Sequence, residues 1–367
     1  MTRTQRRIIF YFFFFIFITI TPAIILYATG YTYDWQKNKI LHTGAIYLES
    51  YPTGAKIYIN DKYIGKTKYS VKRLSPKEYN VRVEKDNFHS WQKKLEVKEA
   101  GFVTEARNIL LVPKNPKLFE IANNISDAEN YLLEEKEKEK NQKTQTTVDN
   151  LLKKDAVSWV RFNDYIYYLT VPSLTLYKAD LDGSNKLQIS VEPLPIPEIS
   201  PDELINYLII VGEDQKIAIL DSKKNLYLYI PEERKFKLLT QDISGASFAG
   251  DNKKLAYWTE HEIWVIYLEK IQIQPYKKAG DKNFITRYAQ KISQVIWYPE
   301  DNEHLIFVVG DDIKITELDD RDIRNTVDFI NIKEPKIYYK QNNQLFDTSW
   351  LYILSENKLY RTQIKQE

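Results

Sequence analysis

The first regular feature of the chain is an unbroken apolar run from Ile8 to Ala28, without a single charge. About 20 such residues at 1.5 Å each make roughly 30 Å of helix, the thickness of a bilayer's hydrocarbon core. A core helix of a soluble protein rarely carries apolar residues on all faces. Residues 8–29 are therefore expected to form a transmembrane helix, with Pro22 tolerated inside it. Arg3, Arg6 and Arg7 precede the run and no basic residue follows it until Lys37. That asymmetry predicts a cytoplasmic N-terminus, residues 1–7, and an extracytoplasmic remainder. Tyr27, Tyr31, Tyr33 and Trp35 are expected at the outer membrane–water interface. A cleaved signal peptide is the competing reading, because Ala28-Thr29-Gly30 has the small-x-small form of a cleavage site. The apolar run, however, exceeds the 7–15 residues usual for a signal-peptide core. Export of the remaining chain follows on either reading.

After a short juxtamembrane linker, 30–43, the pattern changes to period two. Ile46, Leu48 and Ser50 alternate with Tyr47, Glu49 and Tyr51, as in a strand. Tyr51-Pro52-Thr53-Gly54 predicts a turn. Ala55, Ile57 and Ile59 then share one face of a second strand. Asn60-Asp61 supplies the next turn, Lys62–Thr67 a short strand, and Tyr79, Val81 and Val83 another alternating face. Trp91–Val97 closes the unit.

Ser50-Tyr51-Pro52-Thr53-Gly54-Ala55-Lys56-Ile57-Tyr58-Ile59-Asn60, then Gly65-Lys66-Thr67, Leu74-Ser75-Pro76-Lys77-Glu78-Tyr79, Phe88 and Trp91, resemble the PEGA domain, named for a Pro-Glu-Gly-Ala motif. Thr53 stands at the Glu position, Lys68 where Pro is usual, and Lys77 and Asn87 where Gly is common. These departures fall at turns and leave the alternating core intact. The resemblance covers about residues 44–99. It implies a compact β-sandwich of the kind found in bacterial and archaeal surface proteins, with no catalytic residues to carry over.

Residues 100–124 read as a connector containing a candidate first strand of the C-terminal region. Phe102–Val112 is itself strand-like and is ended by Pro113 and Pro116. Residues 125–156 contain the run Glu134–Lys140 and almost no apolar positions. They predict a solvated helix or a flexible, disordered charged insert.

The last two hundred residues repeat. Val157–Tyr168, Ile243–Trp258 and Ile292–Phe307 each show a short strand ending in an aromatic, a polar turn and an apolar strand. Each is followed by a further strand, at Leu174–Tyr177, Ile263–Tyr267 and Ile313–Leu318. Weaker units are Asn206–Tyr229 and Lys336–Thr362. Strand-built repeats of roughly 40–50 residues predict propeller blades. The stretch is similar to TolB-type propeller repeats, which share the strand, aromatic and Asp/Gly/Asn-Lys turn. It implies five to six blades over 157–367, with Leu110–Leu118 a candidate to complete the last one. The alternative is an open β-sandwich.

Composition adds three constraints. Aromatics make up 14%, including 27 Tyr, which suits pleated surfaces in an all-β fold. A net charge of +2 points to no nucleic-acid partner. With no cysteine there is no disulfide, thiol nucleophile or thiolate metal site. His42, His89, His261 and His304 lie in different predicted units without metal-ligand spacing. No nucleophile elbow or phosphate-binding Gly-rich loop is present. No cofactor, metal or catalytic residue is expected. Asp311-Asp312 and Asp319-Asp320-Arg321-Asp322 read as solvated turns.

The sequence therefore predicts a single-pass, membrane-anchored envelope protein that displays a non-catalytic binding or scaffolding propeller, with an envelope protein or glycan as partner. A propeller hydrolase or lyase acting on envelope glycans and a ligand-free spacer are the alternatives. The turns Asp251–Lys254 and Glu300–Glu303 read as generic. The dissimilar connections are Gln188–Glu203, stiffened by four prolines, and Leu268–Lys291. In the second, Tyr276, Lys277, Lys278, Arg287 and Tyr288 form the candidate ligand-binding set, since aromatic and cationic groups suit an acidic surface.

Overall fold

The computed structural model describes residues 2–35, 38–99, 101–132, 135–147, 156–196, 205–299, 301–339 and 350–364. It divides into two compact units. Unit 1 comprises Met1–Lys114 together with Asp320–Asn325, and unit 2 comprises Asn115–Asp319 and Thr326–Glu367.

Unit 1 begins with helix α1 (Arg3–Ala28). A capping box starts it: the Thr2 hydroxyl accepts the Gln5 N–H and the Gln5 side chain accepts the Thr2 N–H. None of its residues is buried, and it is long and apolar enough to cross a membrane. The helix ends at Thr29, whose N–H donates to Ile25 O at 2.9 Å.

Gly30–Thr43, read from sequence as a linker, is a hairpin of β1 (Tyr31–Asp34) and β2 (Lys39–His42). Its base is fixed to the helix end. The Thr43 N–H donates to Gly30 O at 2.8 Å, and its hydroxyl reaches the same oxygen at 2.6 Å. A His42 ring nitrogen lies 3.0 Å from Thr29 O, and the ring stacks on Tyr31 with centroids 4.5 Å apart.

Beyond the hairpin come β3 (Gly44–Tyr51), β4 (Lys56–Ile59), β5 (Lys62–Lys66), β6 (Tyr69–Leu74), β7 (Lys77–Glu84), β8 (Trp91–Val97) and β9 (Val103–Leu110). They form two sheets, ordered β6-β3-β9 and β5-β4-β7-β8. The alternation seen in the sequence fills one core between them. Ile46, Leu48 and Ile109 come from the first sheet, and Ile57, Val81, Val83, Trp91 and Leu95 from the second. β9 runs parallel to β3, so the strand predicted at Phe102–Val112 completes this unit rather than the connector. Segment 320–325 covers the open edge of β8. The Lys94 N–H donates to Asp322 Oδ2 at 2.7 Å, and Gln92 and Asn325 exchange hydrogen bonds at 3.3 Å. Backbone groups of an edge strand are thereby paired.

Unit 2 opens with β10 (Phe119–Asn123), α2 (Ala128–Leu132) and α3 (Glu135–Thr147). The described part of the charged insert is thus mostly helical, over Ala128–Leu132 and Glu135–Thr147; residues 133–134 and 148–155 lie outside the described residues. Four antiparallel meanders follow. They are β11 (Ala156–Phe162), β12 (Tyr165–Thr170), β13 (Leu176–Asp180) and β14 (Leu187–Gln188); β15 (Tyr207–Val211), β16 (Ile217–Asp221), β17 (Leu226–Ile230) and β18 (Lys235–Thr240); β19 (Gly245–Phe248), β20 (Lys254–Trp258), β21 (Glu262–Tyr267) and β22 (Lys282–Arg287); and β23 (Ile292–Trp297), β24 (His304–Val309), β25 (Asp312–Glu317) and β26 (Thr326–Asn331). A fifth sheet takes β27 (Lys336–Tyr339), β28 (Trp350–Ser355) and β29 (Lys358–Gln363), completed by β10 alongside β29. The completing strand is therefore Phe119–Asn123, not Leu110–Leu118. This order, with a first strand closing the last sheet, is propeller-like.

First strands of successive sheets are linked by side chains. The Ser158 hydroxyl donates to Tyr207 O at 2.5 Å, and Trp297 Nε1 to Ser247 O at 2.9 Å. Gln294 exchanges two bonds with the Ile337 backbone, at 2.6 and 2.8 Å. Apolar cores lie between the sheets: Leu176 with Ile219 and Tyr227, Leu220 with Leu255 and Tyr257, and Val265 with Val295 and Phe307.

Candidate functional site

In a meander, alternate turns lie at opposite ends of the sheet, so unit 2 has two rims. One rim carries the entry to each first strand and the turn between second and third strands. The other carries the turn between first and second strands and the loop between third and fourth.

The five residues singled out from sequence divide between these rims. Tyr276, Lys277 and Lys278 lie in the loop joining β21 to β22. Arg287 and Tyr288 lie at the far end of β22, a six-residue strand that spans about 17 Å. Tyr276 is exposed, and the Lys277 ammonium sits 5.8 Å from the Tyr267 ring. The Lys278 N–H donates to Asp281 Oδ2 at 2.7 Å, tightening the loop. Arg287 is paired across the strands with Glu262, its Nε 2.7 Å from Oε1. Tyr288 packs against Phe307 with ring centroids 5.7 Å apart, and its N–H donates to His261 O at 2.9 Å. Of the Gln188–Glu203 connection, residues 197–203 lie outside the described residues.

The rim holding Arg287 also carries a pocket of about 490 Å³ between the fourth and fifth sheets. Lys291, Ser293 and Gln294 line it from one side, and Glu334, Lys336 and Tyr338 from the other. Gln294's bonds to the Ile337 backbone join β23 to β27 beside the pocket. Lys291 lies 3.3 Å from Glu260, which also meets Lys224 at 3.1 Å. Hydrogen bonds from Lys224 and then Lys291 hold the Glu260 carboxyl below its ordinary pKa. The Glu334 N–H is taken by Asp311 Oδ1 at 2.8 Å. Two ammonium groups, one carboxylate, one hydroxyl and a phenol suit hydrogen bonding to a polar or anionic ligand. None of these lining residues was singled out from sequence. Alternating polar and apolar positions at the start of a strand look like any solvated strand end.

The opposite rim holds a buried charge cluster. Lys254 is only 1% exposed; its Nζ lies 2.9 Å from Glu303 Oε1, 2.9 Å from Asn302 O and 3.3 Å from Asp251 Oδ2. Beside it, buried His304 meets Asp301 at 2.7 Å. Burial opposes the charged ring, but the Asp301 carboxylate outweighs it and lifts the His304 pKa. Burial likewise opposes ionisation of Asp301, which His304 nevertheless holds below its ordinary value. For Glu303, burial prevails over Lys254 and the pKa is raised. Every group here is matched inside the cluster, which reads as a clasp between the third and fourth sheets. Among the described residues, no group of three or more His, Cys, Asp or Glu is placed to hold a metal ion.

Comparison with known families adds one firm assignment. Residues 43–110 match the PEGA domain. The PEGA domain of this chain therefore includes β9, as the parallel β3–β9 pairing requires. No curated protein matches the sequence. Among solved structures, YCF48 from Cyanidioschyzon merolae is 10% identical, covering 85% of this chain and 96% of that one, with a TM-score of 0.40. Kluyveromyces lactis Hsv2 is 10% identical, covering 89% and 74%, with a TM-score of 0.36. A nidogen/laminin complex chain is 10% identical, covering 79% and 87%, with a TM-score of 0.35. Likeness at this level carries no functional argument for this chain.

Proposed function

We propose that this is a single-pass membrane protein, N-terminus in the cytoplasm, that holds a binding or scaffolding propeller outside the membrane. The observation that carries this reading is α1, a 26-residue helix with no buried residue, leading directly into the PEGA domain. A helix apolar on every face needs an apolar surrounding that the described residues do not supply. The PEGA domain is a small β-sandwich next to the membrane. Unit 2 is a five-bladed propeller of the TolB-like kind, its blades the five four-stranded sheets. It binds without catalysis, and its partner is an envelope protein or glycan.

Two surfaces compete as the recognition site: the pocket of Lys291 and Lys336, which shares its rim with Arg287 and Tyr288, and the loop of Tyr276, Lys277 and Lys278. The pocket is favoured, because it combines concavity with convergent polar groups. Retention of solubilised envelope components by the immobilised, detergent-solubilised full chain distinguishes them. Lys291→Ser with Lys336→Ser should weaken retention severalfold, most visibly at low salt, where exposed charges act furthest. Loss only with Lys277→Ser and Lys278→Ser moves the site to the loop. Unchanged retention in both, with the fold intact by circular dichroism, supports the ligand-free spacer.

A further inference from the structure

At the end of unit 1 where α1 enters, exposed apolar side chains are gathered on one hairpin. The β1–β2 hairpin projects Trp35, 85% exposed, with Tyr33 edge-on to it at 4.8 Å and Ile40 exposed on the facing strand. Exposed apolar groups gathered on one short hairpin mark a contact surface. Phe102 and Val103 are also exposed at this end, where β9 starts beside the start of β3. Lys39, Lys72, Arg73, Lys77 and Lys98 surround them, all exposed, against Asp34, Glu78 and Glu99.

Arg73 shows how closely this end is built onto the helix. Gly44 pairs with Leu74 and Ala45 with Lys72, so Arg73 is the extra residue of a β-bulge, at φ 61°. Bulges re-aim a side chain out of the strand's alternation. Here the guanidinium lies 3.7 Å from the centroid of the Tyr27 ring, in the last turn of α1. With Thr43 and His42 bonded to Gly30 and Thr29, helix, hairpin and domain are joined without a free linker.

We propose that this end of unit 1 is a membrane-docking face, with the β1–β2 hairpin seated in the headgroup layer and Arg73 facing lipid phosphate. The inference rests on α1 being a membrane anchor, and the lipid surface is its occupant by continuity. A helix that leaves the hydrocarbon at Tyr27 places residues fixed to Thr29 and Gly30 within a few ångströms of the headgroups. Trp and Tyr rings favour that layer, and each basic side chain near an anionic surface adds attraction. The contact would set the orientation of the PEGA domain instead of leaving it to swing on a tether.

The chain has no cysteine, so single labels are clean. The full protein carrying Ile40→Cys, labelled with an environment-sensitive fluorophore, is reconstituted into phosphatidylcholine–phosphatidylglycerol vesicles containing a headgroup-level nitroxide lipid. Asp86→Cys, in the turn at the opposite end of the domain, is the control. Quenching at position 40 should exceed that at position 86 severalfold, and Arg73→Glu should reduce it roughly twofold. Equal quenching at 40 and 86 in protein that floats with the vesicles overturns the docking face and leaves the anchor standing. Protein that does not float overturns the anchor, and the docking face with it. Undiminished quenching in Arg73→Glu removes Arg73 from the face.

Discussion

Asn252 Oδ1 accepts the Glu213 N–H at 3.1 Å and stands 2.3 Å from where a Cβ on Gly212 would lie. The relationship recurs one sheet later. Asn302 Oδ1 accepts the Asp251 N–H at 3.2 Å and would lie 3.2 Å from a Cβ on Gly250. An Asn in the turn of one sheet thus caps the turn of the sheet before it. Glycine precedes the capped position because the Asn oxygen occupies the space.

Gly212→Ala should displace the Asn252 side chain and lose its hydrogen bond, at about 1–2 kcal/mol. Asn252→Ala should cost about 1 kcal/mol. Because both remove one contact, the double variant should lose less than the sum, measured by denaturant unfolding of unit 2. Strict additivity would show that the two positions are independent.

Lys254→Met leaves the Glu303 and Asp251 carboxylates without their cation. Both acids are about a quarter exposed, so solvent relieves part of the penalty that a fully buried orphan would carry. A loss of about 2 kcal/mol is expected, most of it absent in a Lys254→Met, Glu303→Gln double variant. The measurement is again the unfolding midpoint of unit 2.

His304 gives the clasp a pH dependence. Its folded pKa lies above the ordinary 6.5, so its contribution is fully present below that value and fades as pH rises through the folded pKa. Glu303, also raised, acts in the same direction from its ordinary 4.5 upward. Asp301, lowered from 3.8, contributes above that value and is lost only as pH falls through its folded pKa. The thermal midpoint of unit 2 should therefore decline as pH rises past the ordinary histidine value of 6.5. His304→Gln should flatten that decline on the alkaline side of about pH 6.5.

Period-two alternation made the strands legible wherever one face is buried, as at Ile46–Leu48 and Ile57–Ile59. The apolar run of α1 was legible because some 20 consecutive apolar residues fit neither strand alternation nor an amphipathic helix. The β1–β2 hairpin was not, since its two strands are four residues each and bury little. β9 was seen as a strand but not placed, because parallel pairing to β3 leaves no local turn signal. The clasp was hidden in turns that looked generic: Asp251, Asn252, Asn302 and Glu303 are ordinary turn residues, and only sheet-to-sheet packing shows that they answer one another. The candidate pocket is a meeting of two strands well separated in sequence, which no local pattern records.

On the proposed reading, the direction in which α1 crosses the membrane fixes the side on which the PEGA domain and unit 2 lie. The absence of native cysteine allows it to be read directly. Thr4→Cys and Ser222→Cys are expressed separately in cells, converted to intact spheroplasts and exposed to a membrane-impermeant maleimide. Labelling at position 222 in intact spheroplasts, with position 4 labelled only after lysis, is the result predicted. Labelling at position 4 in intact spheroplasts, with position 222 protected until lysis, would contradict it.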